Sequence, residues 1–265
     1  MSAEQILFLN KNVADFSDDN VAAAASQGND YASFALNRSN NSAWMTTSSV
    51  DSDNTTWEVD LVDDHYITDI LLLKHNFKAF TIQYWDGAAY VDFSTPISET
   101  VNAEDTSHFT FDSQNTTKIK ITITGTQVAN SDKQLFQFIA TTQIGQLDGW
   151  PIIKPTILRN RKLIKMLSGK IEVKESIGAF KADLSVKILS NDADLTIVES
   201  LFASNEGFLV WLCGGDEDQF RSERIGYRLE DIYLMKCTNE WKPLLYKGLY
   251  QAGMKVDLKL SEVVS

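Results

Sequence analysis

Through the first half of the chain, apolar and polar positions alternate over short stretches, the period expected of half-buried β-strands. Trp57-Glu58-Val59-Asp60-Leu61 sets apolar against acidic positions, and Phe80 to Trp85 alternates again. Asp86-Gly87 is a hairpin signal, after which Tyr90-Val91-Asp92-Phe93 returns. Lys118 to Thr124 places Ile119, Ile121 and Ile123 on one face and Lys118, Lys120, Thr122 and Thr124 on the other. Ile67 to Lys74 and His108 to Phe111 read as further strands, with Asp63-Asp64-His65 as an exposed turn between two of them. Short strands at this spacing predict a β-sandwich or jelly roll. Residues 1–36 lack strand periodicity, and the Ala22–Ala25 run reads as a short helix or loop.

The later pattern differs. Leu135 to Leu147 reads as a closing strand that leads into a connector. Asp148-Gly149-Trp150-Pro151 and Pro155 then place a linker at 141–155, between domains at 1–140 and 156–265. Lys170–Lys174 and Phe180–Ile188 alternate cleanly and read as two long antiparallel strands around a turn at Ser176–Gly178. One helix is expected next. Ser190 or Asn191 can cap it, Asp192 and Asp194 suit its N-terminal dipole, and Leu195, Val198, Leu201 and Phe202 recur at helical spacing before Gly207. Phe208–Cys213, Tyr227–Lys236, Leu244–Tyr250 and Met254–Leu260 read as strands. The fold class is therefore mainly β: a jelly-roll sandwich followed by an antiparallel β domain with one flanking helix.

Charge sharpens this division. Residues 1–140 hold 7 Lys+Arg against 19 Asp+Glu, a net of −12, whereas residues 141–265 hold 17 of each. An acidic first half has no basic patch for phosphates, so nucleic acid is not expected as a partner. Leu158–Lys165 is the most basic stretch, and strand-edge lysines that deter wrong pairing explain it better than nucleic acid does. No apolar run approaches the roughly 18 residues of a membrane helix, so no membrane partner is expected. Met1–Gln5 carries no basic region ahead of an apolar stretch, and no secretory signal is read there. Two cysteines, Cys213 and Cys237, are too few for a disulfide framework; without CxxC or a histidine in that half, Cys213 reads as a small buried hydrophobe.

The order Ala43-Trp44, Trp57 to Leu61, Ile67 to Leu73 and Phe80 to Gly87 resembles the discoidin, or coagulation factor 5/8 C-type, domain among the galactose-binding-like jelly rolls. The resemblance covers roughly residues 30–140. It implies binding of glycans, lipid headgroups or proteins through loops at one end of a sandwich. It also implies a structural Ca²⁺ near the N-terminal loops, where Asp15, Asp18 and Asp19 are available; no other cofactor is indicated.

The loop residues Asn40, Asn41, Asp51, Asp53 and Asn54 are the candidate ligand site, through hydrogen bonds to a sugar or hard oxygen ligands to Ca²⁺; ordinary solvated turns are an equal reading. Trp44, Trp57 and Trp85 are candidates for stacking on a sugar, but strand positions favour core packing. No catalytic residue is assigned. His65, His75 and His108 show no zinc spacing, and no nucleophile elbow, P-loop or dinucleotide fingerprint occurs.

The strand–strand–helix–strand order of Ile171–Cys213 and the apolar Phe208–Gly215 segment are similar to domains of bacteriophage tail proteins, the distal-tail, tail-tube and baseplate families. That resemblance implies rings, often hexameric, and partners among other tail components. The expected function is a non-enzymatic structural protein of a phage or phage-like tail, assembled in the host cytoplasm and carried in the virion. Its sandwich would project to hold another tail component or a host-surface glycan. The alternative expectation is a free-standing carbohydrate-binding protein.

Overall fold

In the computed structural model of the chain, the described residues are 6–16, 21–37, 42–147, 152–165, 171–188, 192–204, 207–211, 232–247 and 252–263. They are mainly β, arranged in two antiparallel sheets. No helix among them is long and apolar enough to cross a membrane. Residues 12–143 form one compact unit, and the described residues of 1–11 join those of 144–265 in the other.

In chain order the strands are β1 (Ile6–Leu9), β2 (Ala22–Ala25), β3 (Trp44–Met45), β4 (Thr55–His75), β5 (Phe77–Trp85), β6 (Tyr90–Glu99), β7 (Ser107–Thr126) and β8 (Gln134–Thr141). A 3₁₀ helix, Asn29–Leu36, lies between β2 and β3. Then come β9 (Gln143–Leu147), β10 (Ile152–Lys165), β11 (Ile171–Ile188), helix α1 (Asp192–Ala203), β12 (Phe208–Trp211), β13 (Ile232–Cys237), β14 (Leu244–Lys247) and β15 (Ala252–Glu262).

The first unit is a sandwich made by two strands that each serve both layers. Thr55–Asp60 of β4 pairs with Lys118–Ile123 of β7, and His65–Leu72 pairs with Ser107–Thr116 of the same strand. β2, β5 and β6 extend the first layer, whereas β8 and β3 extend the second. The layers face each other through aromatic contacts: Trp57 to Phe138 at 5.0 Å, Phe80 to Phe109 at 6.0 Å and Phe93 to Phe111 at 4.1 Å between ring centroids. Ile119, Ile121 and Ile123 are fully buried in this core, as their alternation with Lys118 and Lys120 requires.

Asp63-Asp64-His65 is thus not a turn between separate strands. It is the exposed bend at which one continuous strand changes layer. Val62 sits there at φ 65, with its N–H donated to Asp60 Oδ1 at 3.0 Å. A β-branched residue in the left-handed region is strained by about 1–3 kcal/mol, which the packed layers on either side must offset. The Ala22–Ala25 run is likewise a strand rather than a helix or loop, paired with Trp57–Asp60. Alanine's small side chain carries little strand signal by itself, so β4 supplies the order.

The second unit has the sheet order β10-β11-β15-β13-β12-β1-β9, with β14 beside β15. β1 pairs with β12, Leu7 opposite Trp211 and Leu9 opposite Leu209. Residues at the start of the chain therefore belong to this sheet, and the sandwich begins at residue 12 rather than 1. Within 141–155, read as a linker, β9 and the start of β10 are strands of the same sheet. Ser176–Gly178 is not a turn: β11 runs through it and pairs with β10 on both sides of a register shift, between Ile177 opposite Arg159 and Phe180 opposite Ile157.

Ala182 and Leu184 of β11 and Val256, Leu258 and Leu260 of β15 are buried, while Asp183, Asp257 and Lys259 between them are exposed. The sheet is amphipathic, and α1 supplies apolar cover through Val198 and Leu201. Gly145 on β9 has no side chain because a Cβ there would overlap Ile197 of the helix. Phe208 is fully buried and meets Phe8 edge-on at 6.0 Å, while Trp211 is only half-buried. Cys213 lies outside the described residues; Cys237 is a free, half-buried thiol whose pKa burial pushes up to about 12, so it is protonated at neutral pH.

Candidate functional site

Loops 46–54, 100–106 and 127–133 converge at one end of the sandwich with the β4–β5 turn. Asn76 ties them: its amide donates to Asp132 O at 2.7 Å, its Oδ1 accepts Gln134 N–H at 2.8 Å, and its carbonyl accepts Gln127 N–H at 2.9 Å. Gln127 in turn donates to Glu104 O at 2.8 Å. Here lie three of the residues that the sequence nominates. Asn40 and Asn41 lie outside the described residues, as do Asp18 and Asp19.

The two nominated carboxylates hold the loops. Asp51 Oδ1 accepts the Thr126 hydroxyl at 2.8 Å and the Thr126 N–H at 3.1 Å. The Thr126 hydroxyl bond, backbone donors and the Lys133 charge hold this carboxyl below its usual pKa against the opposing effect of burial. Asp53 Oδ2 accepts Val50 N–H at 3.1 Å, closing a turn in which Asp53 N–H also donates to Val50 O at 3.0 Å. Asn54 is exposed, and Asp15, offered by the Ca²⁺ reading, is buried at 4% exposure. Among the described residues, no group of three or more His, Cys, Asp or Glu side chains is placed to hold a metal ion. The positive charge beside Asp51 and Asp53 is the ammonium of Lys133. With a lysine's charge already beside them, Asp51 and Asp53 do not fit a resident calcium.

Two of the three histidines, His75 and His108, are structural too. Fully buried Asp69 accepts from His108 Nε2 at 2.8 Å and from the Thr110 hydroxyl at 3.2 Å. His75 Nδ1 accepts Phe77 N–H at 3.1 Å, so the ring proton is on Nε2, which donates to Ser107 Oγ at 2.9 Å. Burial lowers the His75 pKa to about 4, against the pull of Asp105, and the ring is neutral.

The three tryptophans of the sandwich divide. Trp44 and Trp57 are fully buried, their indole N–H groups donating to Gln27 O at 3.2 Å and Ala32 O at 3.1 Å. Trp85 is different. It shares strand parity with Thr81 and Gln83, on the outer face of the first layer, and is only half-buried. Neighbouring strands place Tyr90 directly opposite Trp85, and Asp92 opposite Gln83. On the other side, Lys120 faces both Gln83 and Glu58, and Asp60 faces Lys118.

The contacts on this face are specific. The Trp85 and Tyr90 rings meet edge to face at 5.2 Å. Lys120 Nζ stands 4.0 Å from the centre of the Tyr90 ring, a cation–π contact. Gln83 donates to Asp92 Oδ1 at 3.0 Å, and Lys118 pairs with Asp60 at 2.7 Å. The Tyr90 hydroxyl is buried without a hydrogen bond of good geometry; burial first, then Glu58 and Asp60, raise its pKa and keep it protonated. Half-exposed aromatic surface thus adjoins amide, carboxylate and ammonium groups, with Lys118 and Asp60 paired to each other. Such a surface offers stacking and hydrogen bonds to an uncharged, hydroxyl-rich ligand. Tyr90, Lys120, Gln83 and Asp92 were not singled out from the sequence, although the strand alternation carries their common face.

No protein family matches this chain, and neither does any curated protein. Solved structures do. Chitosan-binding module 1 from a chitosanase/glucanase of Paenibacillus sp. IK-5 is 19% identical, covering 49% of this chain and 98% of that one, with a TM-score of 0.42. The family 32 carbohydrate-binding module of Clostridium perfringens NanJ, in complex with galactose, is 15% identical over 51% of this chain and 98% of its own, with a TM-score of 0.41. A further C. perfringens module, in complex with GalNAc-β-1,3-galactose, is 15% identical over 46% of this chain and 95% of its own, with a TM-score of 0.38.

Proposed function

We propose that the chain is a carbohydrate-binding protein, and that the outer face of its sandwich around Trp85 takes a neutral sugar. The observation that carries this reading is the half-buried Trp85–Tyr90 pair beside the Gln83–Asp92 hydrogen bond, on a face whose neighbours include the Lys118–Asp60 ion pair. An indole supplies an apolar surface for the C–H face of a pyranose, and the adjoining polar side chains serve its hydroxyls. Galactose, named for one of the solved modules above, belongs to this ligand class. The chain performs no chemistry of its own in this reading. A glycan array probed with the purified chain and with Trp85→Ala tests it. Retention of neutral glycans by the first and loss with the second is expected; no retention on any glycan would overturn it.

A second reading, a structural subunit of a phage or phage-like tail or baseplate, draws on the other unit. Leu244 and Leu245, successive residues of β14, are 65% and 71% exposed. Successive strand residues point to opposite faces, so at these two positions an apolar side chain is exposed on each face of the strand. A homo-oligomeric ring with other tail proteins as neighbours would cover them. Light-scattering chromatography decides: a ring-sized mass favours this reading, and a strict monomer at high concentration counts against it.

A further inference from the structure

We infer that the sandwich carries its structural cation in its own sequence, as the ammonium of Lys133, and needs no metal ion to order its loop end. Lys133 is fully buried, which is rare for a lysine and costly without compensation. Its ammonium donates to Val50 O at 3.0 Å and reaches Ser49 Oγ at 3.5 Å. Three carboxylates, Asp51, Asp53 and Asp132, act on it electrostatically and oppose the lowering of its pKa by burial. A backbone carbonyl and a hydroxyl touch the ammonium, and three carboxylates act on it through their charge, an oxygen-rich, negatively charged surrounding that suits a cation. Here a side chain stands in that place.

The backbone on either side is locked to match. Thr46 and Lys133 exchange two bonds, Thr46 N–H to Lys133 O at 3.0 Å and Lys133 N–H to Thr46 Oγ1 at 2.8 Å. Thr46 Oγ1 also meets Ser49 Oγ at 2.7 Å. Asp132 Oδ1 accepts Ser49 N–H at 3.0 Å, and Asp51 N–H donates to Asn130 Oδ1 at 3.2 Å. The two loops, 46–54 and 127–133, are therefore sewn together around one buried positive charge. Because that charge is covalently part of β8's approach, the loops cannot lose it by dilution or chelation. A lysine also differs from a metal in its demands: its ammonium is served here by two acceptors, Val50 O and Ser49 Oγ, and imposes no coordination shell.

The test is thermal unfolding of the full chain with calcium, with a chelator and with neither, followed by Lys133→Ser under the same conditions. The wild-type midpoint is expected to stay unchanged across all three. Lys133→Ser is expected to lower it by on the order of 10 °C, because the carboxylates are left without a counter-charge. Millimolar calcium should then recover part of the loss in the variant only. A wild-type midpoint that falls with chelator would overturn the inference without touching any variant. A Lys133→Ser protein as stable as the wild type, or one indifferent to calcium, would overturn it as well.

Discussion

The ring of Trp85 meets the ring of Tyr90 edge to face, 5.2 Å apart, across the hairpin that Asp86 and Gly87 turn. The pair sits outside the core, and this separates it from Trp57, whose ring meets Phe138 inside at 5.0 Å. Trp85→Ala is expected to abolish glycan retention while moving the unfolding midpoint little. Trp57→Ala should instead cost about 3–5 kcal/mol, since it empties a fully buried site. Affinity electrophoresis beside calorimetry reads both quantities; a Trp85 variant that binds glycans normally removes the site from this face.

Asp51 separates the nominated loop site from the outer face. Its carboxylate is committed to Thr126, so Asp51→Ala should destabilise the sandwich by roughly 1 kcal/mol and leave glycan binding intact. Denaturant titration and the same array check this. Lost binding at unchanged stability would return the ligand to the loop end.

The neutral His75 makes stability depend on pH in a defined window. Its folded pKa, about 4, lies below the ordinary value of 6.5, so the unfolded chain takes up a proton first as pH falls. This contribution is full above 6.5, declines between 6.5 and about 4, and loses nothing more below that. The total is on the order of 3 kcal/mol. His75→Gln should flatten the stability profile across that window, measured by urea unfolding at a series of pH values. An equally steep profile in the variant would assign the dependence to other groups.

Gly28 precedes the 3₁₀ helix with φ 67, and a Cβ there would overlap the carbonyl oxygen of Met45. Both the left-handed backbone and the close approach demand glycine. Gly28→Ala is expected to cost at least about 1–2 kcal/mol, whereas Gly87→Ala, with φ 102 but open space, should cost only its backbone strain. Paired unfolding curves measure the difference.

Alternation made most of the sandwich legible. Ile119, Ile121 and Ile123 announce a buried face, and by the same parity Trp85 belongs with Thr81 and Gln83, outside. A strand position argues for the core there, and parity is the better guide. Ile6–Leu9 and Ala22–Ala25 were not legible because each is four residues long and ordered by partners distant in sequence. Lys133 was hidden for another reason: nothing near it in the chain distinguishes a buried lysine from a solvated one. Asp51 and Asp53 read as loop acids in the sequence, and only the fold shows that Asp51 is bound to Thr126 and Asp53 to the Val50 amide.

The pairing of Leu7 with Trp211 has a consequence in time. Domains tend to fold in the order in which they leave the ribosome. All of the sandwich is synthesised between β1 and its partner β12, which follows about 200 residues later. An apolar strand, Ile6-Leu7-Phe8-Leu9, thus waits through the synthesis of the whole sandwich before either of its sheet neighbours, β9 or β12, exists. During that interval it is a natural target for a chaperone, and for mispairing with a neighbouring nascent chain. A strand made before the sandwich is placed only after it.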